Sequence, residues 1–185
     1  DAEAIVAALG DWDTLRWLTK PPSPYGLSDA RAFIDGAGLD EHAVRLGDRL
    51  VGMVQAGRNF GLWIAPDWQD QGIGRRAGVL ALSRLFASGA RAVQTHCLIG
   101  NNRSARLLSW LGFRSRGIVQ VPSTPLDAVV PADLLLLLLE TPRLRWQSER
   151  GRGGLWRRPR AGQGLGGSPG RSQGRRSQGR RSQFM

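Results

Sequence analysis

The chain has 185 residues, a length typical of one domain, and a formal net charge of +11. The charge is confined to residues 142–185, where twelve Arg face one Glu, whereas residues 1–141 balance 14 basic against 14 acidic residues. This distribution excludes a nucleic-acid-binding surface over the whole body. The single cysteine, Cys97, excludes an internal disulfide framework and a cysteine-rich zinc site.

Histidine placement and hydropathy narrow the class of protein further. The two histidines, His42 and His96, are far apart, so no metal site is predicted. The longest apolar run, Leu134–Leu139, is far shorter than the ~18 residues that span a membrane. Asp1 and Glu3 are not residues with which a signal peptide begins. We therefore expect a cytoplasmic protein without a membrane segment.

The first forty residues predict helices separated by a loop. Ile5, Val6 and Leu9 share one face of a helix over residues 2–9. The prolines of residues 21–24 interrupt the chain, and Ser28 is the predicted N-cap of a helix that extends to residue 34.

The central part of the chain predicts alternating strands and helices. Gly47-Asp48 separates two short β-like runs and indicates a hairpin turn. Alternating apolar residues predict strands over residues 42–46, 49–55, 59–65 and 91–99, with a final pair over 116–121 and 128–139. Apolar residues at helical spacing predict helices over residues 73–88 and 101–111.

The C-terminal segment has no hydrophobic periodicity. Residues 142–185 contain ten Gly and end in a repeat of Arg-Ser-Gln-Gly-Arg that begins at Arg171. Such a segment cannot bury a core, so we expect a basic, disordered tail that follows a folded domain over residues 1–141. Any binding of nucleic acid is expected through this tail alone.

A glycine-rich segment between a strand and a helix is the most informative motif. Gly72 and Gly74 let the chain turn into the helix, whose first backbone N–H groups and partial positive charge suit an anion such as phosphate. The alternative is an ordinary glycine-rich helix start. A P-loop is excluded, because no Lys follows Lys20. A dinucleotide fingerprint is disfavoured, because no acidic residue occurs between Asp70 and Asp127.

Two segments together resemble the signatures of the GNAT family of N-acetyltransferases. Gln69-Asp70-Gln71-Gly72-Ile73-Gly74 fits the family's acetyl-CoA loop, [Gln/Arg]-x-x-Gly-x-[Gly/Ala]. Residues 61–68 resemble the preceding strand and entry loop. Residues 101–113 are similar to Asn-x-x-Ser-x-x-x-Leu-x-x-Leu-Gly-Phe, the second signature of the branch that acetylates ribosomal-protein alanines. The resemblance covers about residues 2–133.

The resemblance implies a fold and an activity. The fold is α/β (α+β), a splayed and mainly antiparallel sheet flanked by helices, and the family's first strand is missing before the opening helix. The activity is transfer of an acetyl group from acetyl-CoA, the co-substrate, to a primary amine that attacks the thioester directly. The acceptor is a protein N-terminus or a small amine, and a homodimer is a further expectation.

The resemblance also assigns site residues. Those expected to bind the cofactor are Trp63, Ile64, Ala65, Gln69, Asp70, Gln71, Gly72, Ile73, Gly74, Arg75, Asn101 and Ser104. His96 is the candidate general base and Ser104 the candidate acid, although each has a structural alternative, as a sheet histidine and as a first-turn helix serine. Many relatives place a Tyr where this chain has Leu108. A non-catalytic acyl-CoA-binding domain therefore remains the alternative function, with nucleic-acid binding by the tail as a third.

Overall fold

The computed structural model describes residues 1–139. The predicted domain end at residue 141 and the predicted disordered tail lie outside these residues. Among the described helices, none is long and apolar enough to cross a membrane.

Three short helices open the chain: α1 (Ala2–Leu9), α2 (Trp12–Leu15) and α3 (Leu27–Asp35). The predicted N-cap of α3 is wrong, because Gly26 precedes the helix and Ser28 lies inside its first turn. The Asp29 carboxylate accepts the backbone N–H of Gly26 at 2.8 Å. The helix start is therefore stabilised by an acidic side chain of its first turn, whereas the sequence predicted a serine that precedes the helix in this role.

The first sheet is an antiparallel meander of β1 (Glu41–Leu46), β2 (Arg49–Ala56) and β3 (Phe60–Ile64). Leu46 pairs with Arg49, so the two-residue hairpin at Gly47-Asp48 is confirmed. Gly47 adopts φ +59°, a conformation that glycine reaches without steric cost.

The second half of the described chain consists of α4 (Ile73–Ala87), β4 (Ala92–Leu98), α5 (Asn102–Leu111), β5 (Arg114–Ser123) and β6 (Ala128–Leu138). Its three strands form an antiparallel sheet in the order β4-β6-β5. Both helices are followed by glycines with positive φ, Gly89 at +101° and Gly112 at +99°. These glycines end the helices where the sequence pattern predicts.

The two sheets meet at one point and then diverge. A single parallel bridge joins Asn59 to Gln94, and the Gln94 Nε2 donates to Asn59 Oδ1 at 3.2 Å. Among the strands of residues 1–139, β3 pairs beyond this bridge only with β2, and β4 pairs only with β6. The expected splayed, mainly antiparallel sheet flanked by helices is therefore confirmed. Within residues 1–139 no strand precedes Glu41.

Packing on both faces of the first sheet fixes the splay. On one face, Ile5, Leu9 and Ala30 of the opening helices bury Trp63. The other face packs against α4, α5 and the second sheet in a core of buried side chains: Val54, Ala56, Phe60, Ala81, Leu82, Phe86, Val93, Cys97, Leu108, Leu111, Phe113, Leu135 and Leu137. Because each fully buried aliphatic or aromatic side chain contributes about 1.5–3 kcal/mol, this core holds both sheets in place around the opening between β3 and β4.

Candidate functional site

A cleft of about 1340 Å³ opens where β3 and β4 diverge. At one end, which we call the glycine-loop end, the cleft is lined by Gln69, Asp70, Gly72, Gly74, Arg75 and Arg103. At the other end, called the carboxylate end, the lining includes Tyr25, Asp29, Phe33, Glu41, Met53 and Gln55. Strand β3 contributes to the wall from Phe60 to Ile64.

The wall formed by β3 offers backbone groups to a ligand. One edge of this strand pairs with β2 from Phe60 to Ile64. In the described part of the chain, no strand pairs with its other edge beyond the bridge at Asn59. An extended ligand can hydrogen-bond to such an edge as an added strand would.

The start of α4 forms an anion site. Gly72 precedes the helix at φ +75° and supplies no capping side chain. The first N–H groups of a helix have no acceptor within it, and the helix dipole adds partial positive charge. The first turn carries Arg75 and Arg76 and no acidic residue. A Cβ on Gly74 would lie 3.3 Å from the end of the Leu62 side chain, so the helix start lies close to β3 and alanine at this position would need Leu62 to shift slightly.

Three polar side chains hold the loop that leads into α4. Gln69 Nε2 donates to the carbonyl oxygen of Ile64 at 2.8 Å, and Gln71 Nε2 donates to that of Asp67 at 2.8 Å. From α5, Arg103 donates to Gln69 Oε1 and forms an ion pair with Asp70 at 3.2 Å. Gln69 thus shapes the loop through both ends of its amide.

The start of α5 forms the opposite side of the cleft. Asn101 Oδ1 accepts the backbone N–H of Ser104 at 3.1 Å and caps the helix. The hydroxyl of Ser104 is close to the thiol of Cys97 on β4. Burial raises the pKa of the Cys97 thiol, a hydrogen bond from the Ser104 side chain opposes this rise, and the Asp133 carboxylate adds to it. The thiol is therefore a poor nucleophile at neutral pH.

His96 and Cys97 point to opposite faces of β4, as their alternation predicts. His96 is exposed and lines the cleft, whereas Cys97 is buried. Within residues 1–139 no hydrogen bond orients the imidazole of His96. Leu108, at the position where many relatives have a Tyr, is buried at the cleft wall with 3% of its surface exposed.

The structure brings most of the predicted site residues to one cleft. Those that line it are Trp63, Ile64, Gln69, Asp70, Gly72, Gly74, Arg75, His96, Asn101 and Ser104. Ala65, Gln71 and Ile73 are not among the lining residues. The side chain of Ile73 is buried against Val51 and Ile64, so this residue can offer a ligand only its backbone N–H.

Sequence reasoning missed the residues of the carboxylate end. Burial raises the pKa of the Tyr25 phenol, and the neighbouring Asp29 carboxylate raises it further. Glu41 begins β1 and Gln55 lies near the end of β2, directly opposite it. The available signal was the polar character of these two residues at strand positions whose neighbours along the same face are apolar.

The family model for the acetyltransferase (GNAT) domain matches residues 1–114. The chain belongs to the GNAT family of acetyltransferases. This result confirms the enzyme class and the co-substrate, acetyl-CoA, that the sequence resemblance implies for the family. A search of curated proteins finds no match.

Solved GNAT structures share the fold at low sequence identity. An acetyltransferase of the GNAT family from Bacillus anthracis superposes with a TM-score of 0.67 at 19% identity, covering 75% of this chain and 89% of that one. The ribosomal-protein-S5-alanine acetyltransferase from Vibrio fischeri gives a TM-score of 0.62 at 18% identity, covering 76% and 89%. The spermidine N-acetyltransferase from Vibrio cholerae, in complex with CoA and spermine, gives 0.61 at 16% identity, covering 75% and 89%.

Proposed function

We propose that the cleft transfers an acetyl group from acetyl-CoA to a primary amine by direct attack. One observation carries this proposal: a single cleft combines the open edge of β3, the uncapped start of α4 at Gly72 and the capped start of α5 at Asn101. These features suit acetyl-CoA, since a strand edge can bind the amide-bearing arm and the start of α4 can bind the pyrophosphate, while the start of α5 forms the opposite side of the cleft. Acetyl-CoA supplies the activated thioester.

The protein contributes binding, orientation and proton transfer. Backbone N–H groups at the unpaired edge of β3 are the proposed donors that polarise the thioester carbonyl in the opening. Attack by the amine forms the amide bond as the C–S bond breaks, and the amine loses one proton while the thiolate gains one. His96 is the proposed acceptor of the amine's proton, through water, because its imidazole lines the cleft. Ser104 is the proposed proton donor to the thiolate, although its hydroxyl also contacts Cys97.

The acceptor is proposed to be a primary amine, either a protein N-terminus or a small molecule. Relatives of both kinds share the fold, as the alanine acetyltransferase and the spermidine acetyltransferase show. The Glu41 and Asp29 carboxylates line the far end of the cleft, where an ammonium group would be attracted. The cytoplasmic location and the homodimer stay predictions.

The decisive experiment is a screen of the full-length protein with acetyl-CoA and a panel of amines and N-terminal peptides. We expect the CoA thiol to be released faster with an acceptor than by hydrolysis of acetyl-CoA alone. We also expect acetyl-CoA to raise the melting temperature of the protein. A second candidate function is acyl-CoA binding without catalysis, which the buried Leu108 at the family's Tyr position favours. A thermal shift without thiol release on any acceptor would support that alternative.

A further inference from the structure

Glu41 presents a fixed carboxylate at one end of the cleft. Its Oε1 accepts the Gln55 Nε2 hydrogen at 2.8 Å, and its Oε2 accepts the backbone N–H of Gly38 at 2.9 Å. The residue is half-buried, and it lines the cleft with Gln55. Because each carboxylate oxygen has two acceptor positions, the two bonds orient the group and leave it able to accept further hydrogens.

Within residues 1–139, no ion pair with Arg, Lys or His neutralises the charge of this carboxylate. Partly buried carboxylates are stabilised by a cation more strongly than exposed ones, since less water screens the pair. A ligand cation in the cleft would therefore gain from contact with this group.

Strand register places Glu41 at a distance from the proposed reaction centre. Glu41 pairs with Gln55 across β1 and β2, and Gln55 pairs with Gly61 across β2 and β3. Neighbouring strands are about 4.8 Å apart, so β1 lies roughly 10 Å from β3. Gly61 has no side chain, so the Gln55 amide is the side chain that lies between Glu41 and the β3 edge. The Gln55 Oε1 would be 3.7 Å from a Cβ on Gly61.

We infer that Glu41 binds a second ammonium group of the acceptor, and that the acceptor is a diamine or polyamine. The inference rests on the proposed acetyltransferase activity. The amine that attacks at β3 must be uncharged, whereas an ammonium two strands away keeps its proton and its charge. Phe33 and Met53 line the same end of the cleft and offer apolar surface to the methylene chain between the two nitrogens.

The test compares matched acceptors on matched variants. With acetyl-CoA, the full-length wild type should show a kcat/KM for spermidine at least about 10-fold above that for n-butylamine, in line with a hydrogen bond to a charged group. Glu41→Gln keeps the size of the side chain and removes its charge, so it should bring that preference to about one. Glu3→Gln is the control, because Glu3 is exposed on α1 outside the cleft; it should keep the full preference.

Several outcomes would overturn the inference. A wild type that favours n-butylamine, or one that acetylates an alanyl peptide with a higher kcat/KM than spermidine, would do so. If Glu41→Gln lowers kcat/KM equally for the monoamine and for spermidine, the carboxylate acts on the reacting amine or stabilises the fold, and the inference is wrong. If no acceptor is acetylated, calorimetry of spermidine with the CoA complex separates the two proposals. Binding that Glu41→Gln abolishes then supports the ammonium site without the transferase activity, and no binding refutes the site.

Discussion

Asn101 accepts the backbone N–H of Ser104 at 3.1 Å, so two residues of the second signature are joined by a helix cap. The same Ser104 directs its hydroxyl toward Cys97 on β4, which ties the start of α5 to the second sheet. The cap therefore positions the helix that forms one side of the cleft. This gives Asn101 a structural role that is separate from any contact with a ligand, and the two roles can be tested apart.

Replacing Asn101 separates capping from binding. Asn101→Ala removes the capping oxygen and should lower the free energy of unfolding by about 1 kcal/mol, as measured by urea denaturation. Asn101→Asp keeps an acceptor oxygen and should stay close to the wild type in stability. If the amide nitrogen also binds acetyl-CoA, Asn101→Asp will lose affinity while it keeps stability. Equal stability of the Ala and Asp variants would show that the cap contributes nothing.

Gly74 tests the assignment of the loop. Gly74→Asp places a carboxylate in the first turn of α4, where it is favourable for the free helix but repels a bound pyrophosphate. We expect acetyl-CoA to raise the melting temperature of the wild type and to have no effect on this variant. Gly74→Ala is the control: its Cβ would meet the flexible end of Leu62 at 3.3 Å, so most of the ligand-induced shift should remain. A full shift in the Asp variant would refute the phosphate site.

Local patterns in the sequence predicted most of this architecture. The hairpin at Gly47-Asp48 and the helix ends before Gly89 and Gly112 depend on glycines, which adopt positive φ without steric cost. Because this property belongs to the single residue, it can be recognised without knowing any long-range contact. The glycine loop was recognisable for the same reason. The prediction failed at Ser28, because Ser28 and Asp29 are both capable of satisfying the helix end and only the three-dimensional path of the chain selects between them.

The carboxylate end of the cleft depends on long-range contacts. Glu41 and Gln55 are fourteen residues apart, and their hydrogen bond exists only because the hairpin register pairs them. The contact between Ser104 and Cys97 likewise requires α5 to lie against β4. A sequence pattern identifies such residues as polar, but the partner that gives each one its role is determined by the fold.

The raised pKa of the Cys97 thiol predicts that the folded protein loses stability at alkaline pH. Burial raises the pKa of this thiol above its ordinary value of 9.0, so the unfolded chain releases the proton at a lower pH than the folded chain does. Its contribution to stability is complete below pH 9.0 and is lost as the pH rises through the higher folded-state value. Tyr25, with its raised pKa, acts in the same direction from pH 10.0 upward.

Unfolding free energies measured from pH 7 to pH 10.5 check this prediction. The wild type should lose stability above about pH 9. Cys97→Ala should be less stable at pH 7, since it leaves a small cavity, but its decline above pH 9 should be shallower. A parallel decline in both proteins would mean that the thiol does not contribute.

The basic C-terminal segment can be tested by truncation. A variant that ends at Glu140 removes twelve Arg and one Glu. We expect it to keep the thermal shift with acetyl-CoA, because residues 142–185 have no hydrophobic pattern. It should lose non-specific binding to RNA or DNA, a binding that in the full chain weakens steeply with salt. Failure of the truncated variant to fold would place the domain boundary further along the chain.

His96 and Cys97, neighbours on opposite faces of β4, make a matched pair for the proposed catalysis. His96→Ala should lower kcat by about 10²-fold or more if the imidazole takes the proton of the attacking amine, while the KM for acetyl-CoA stays the same. Cys97→Ala should stay within a few-fold of wild type, because direct attack needs no acyl-enzyme. An acetyl group trapped on Cys97 would overturn direct transfer. An unchanged kcat in His96→Ala would assign proton removal to water, since no other described residue on that face of β4 is proposed as the base.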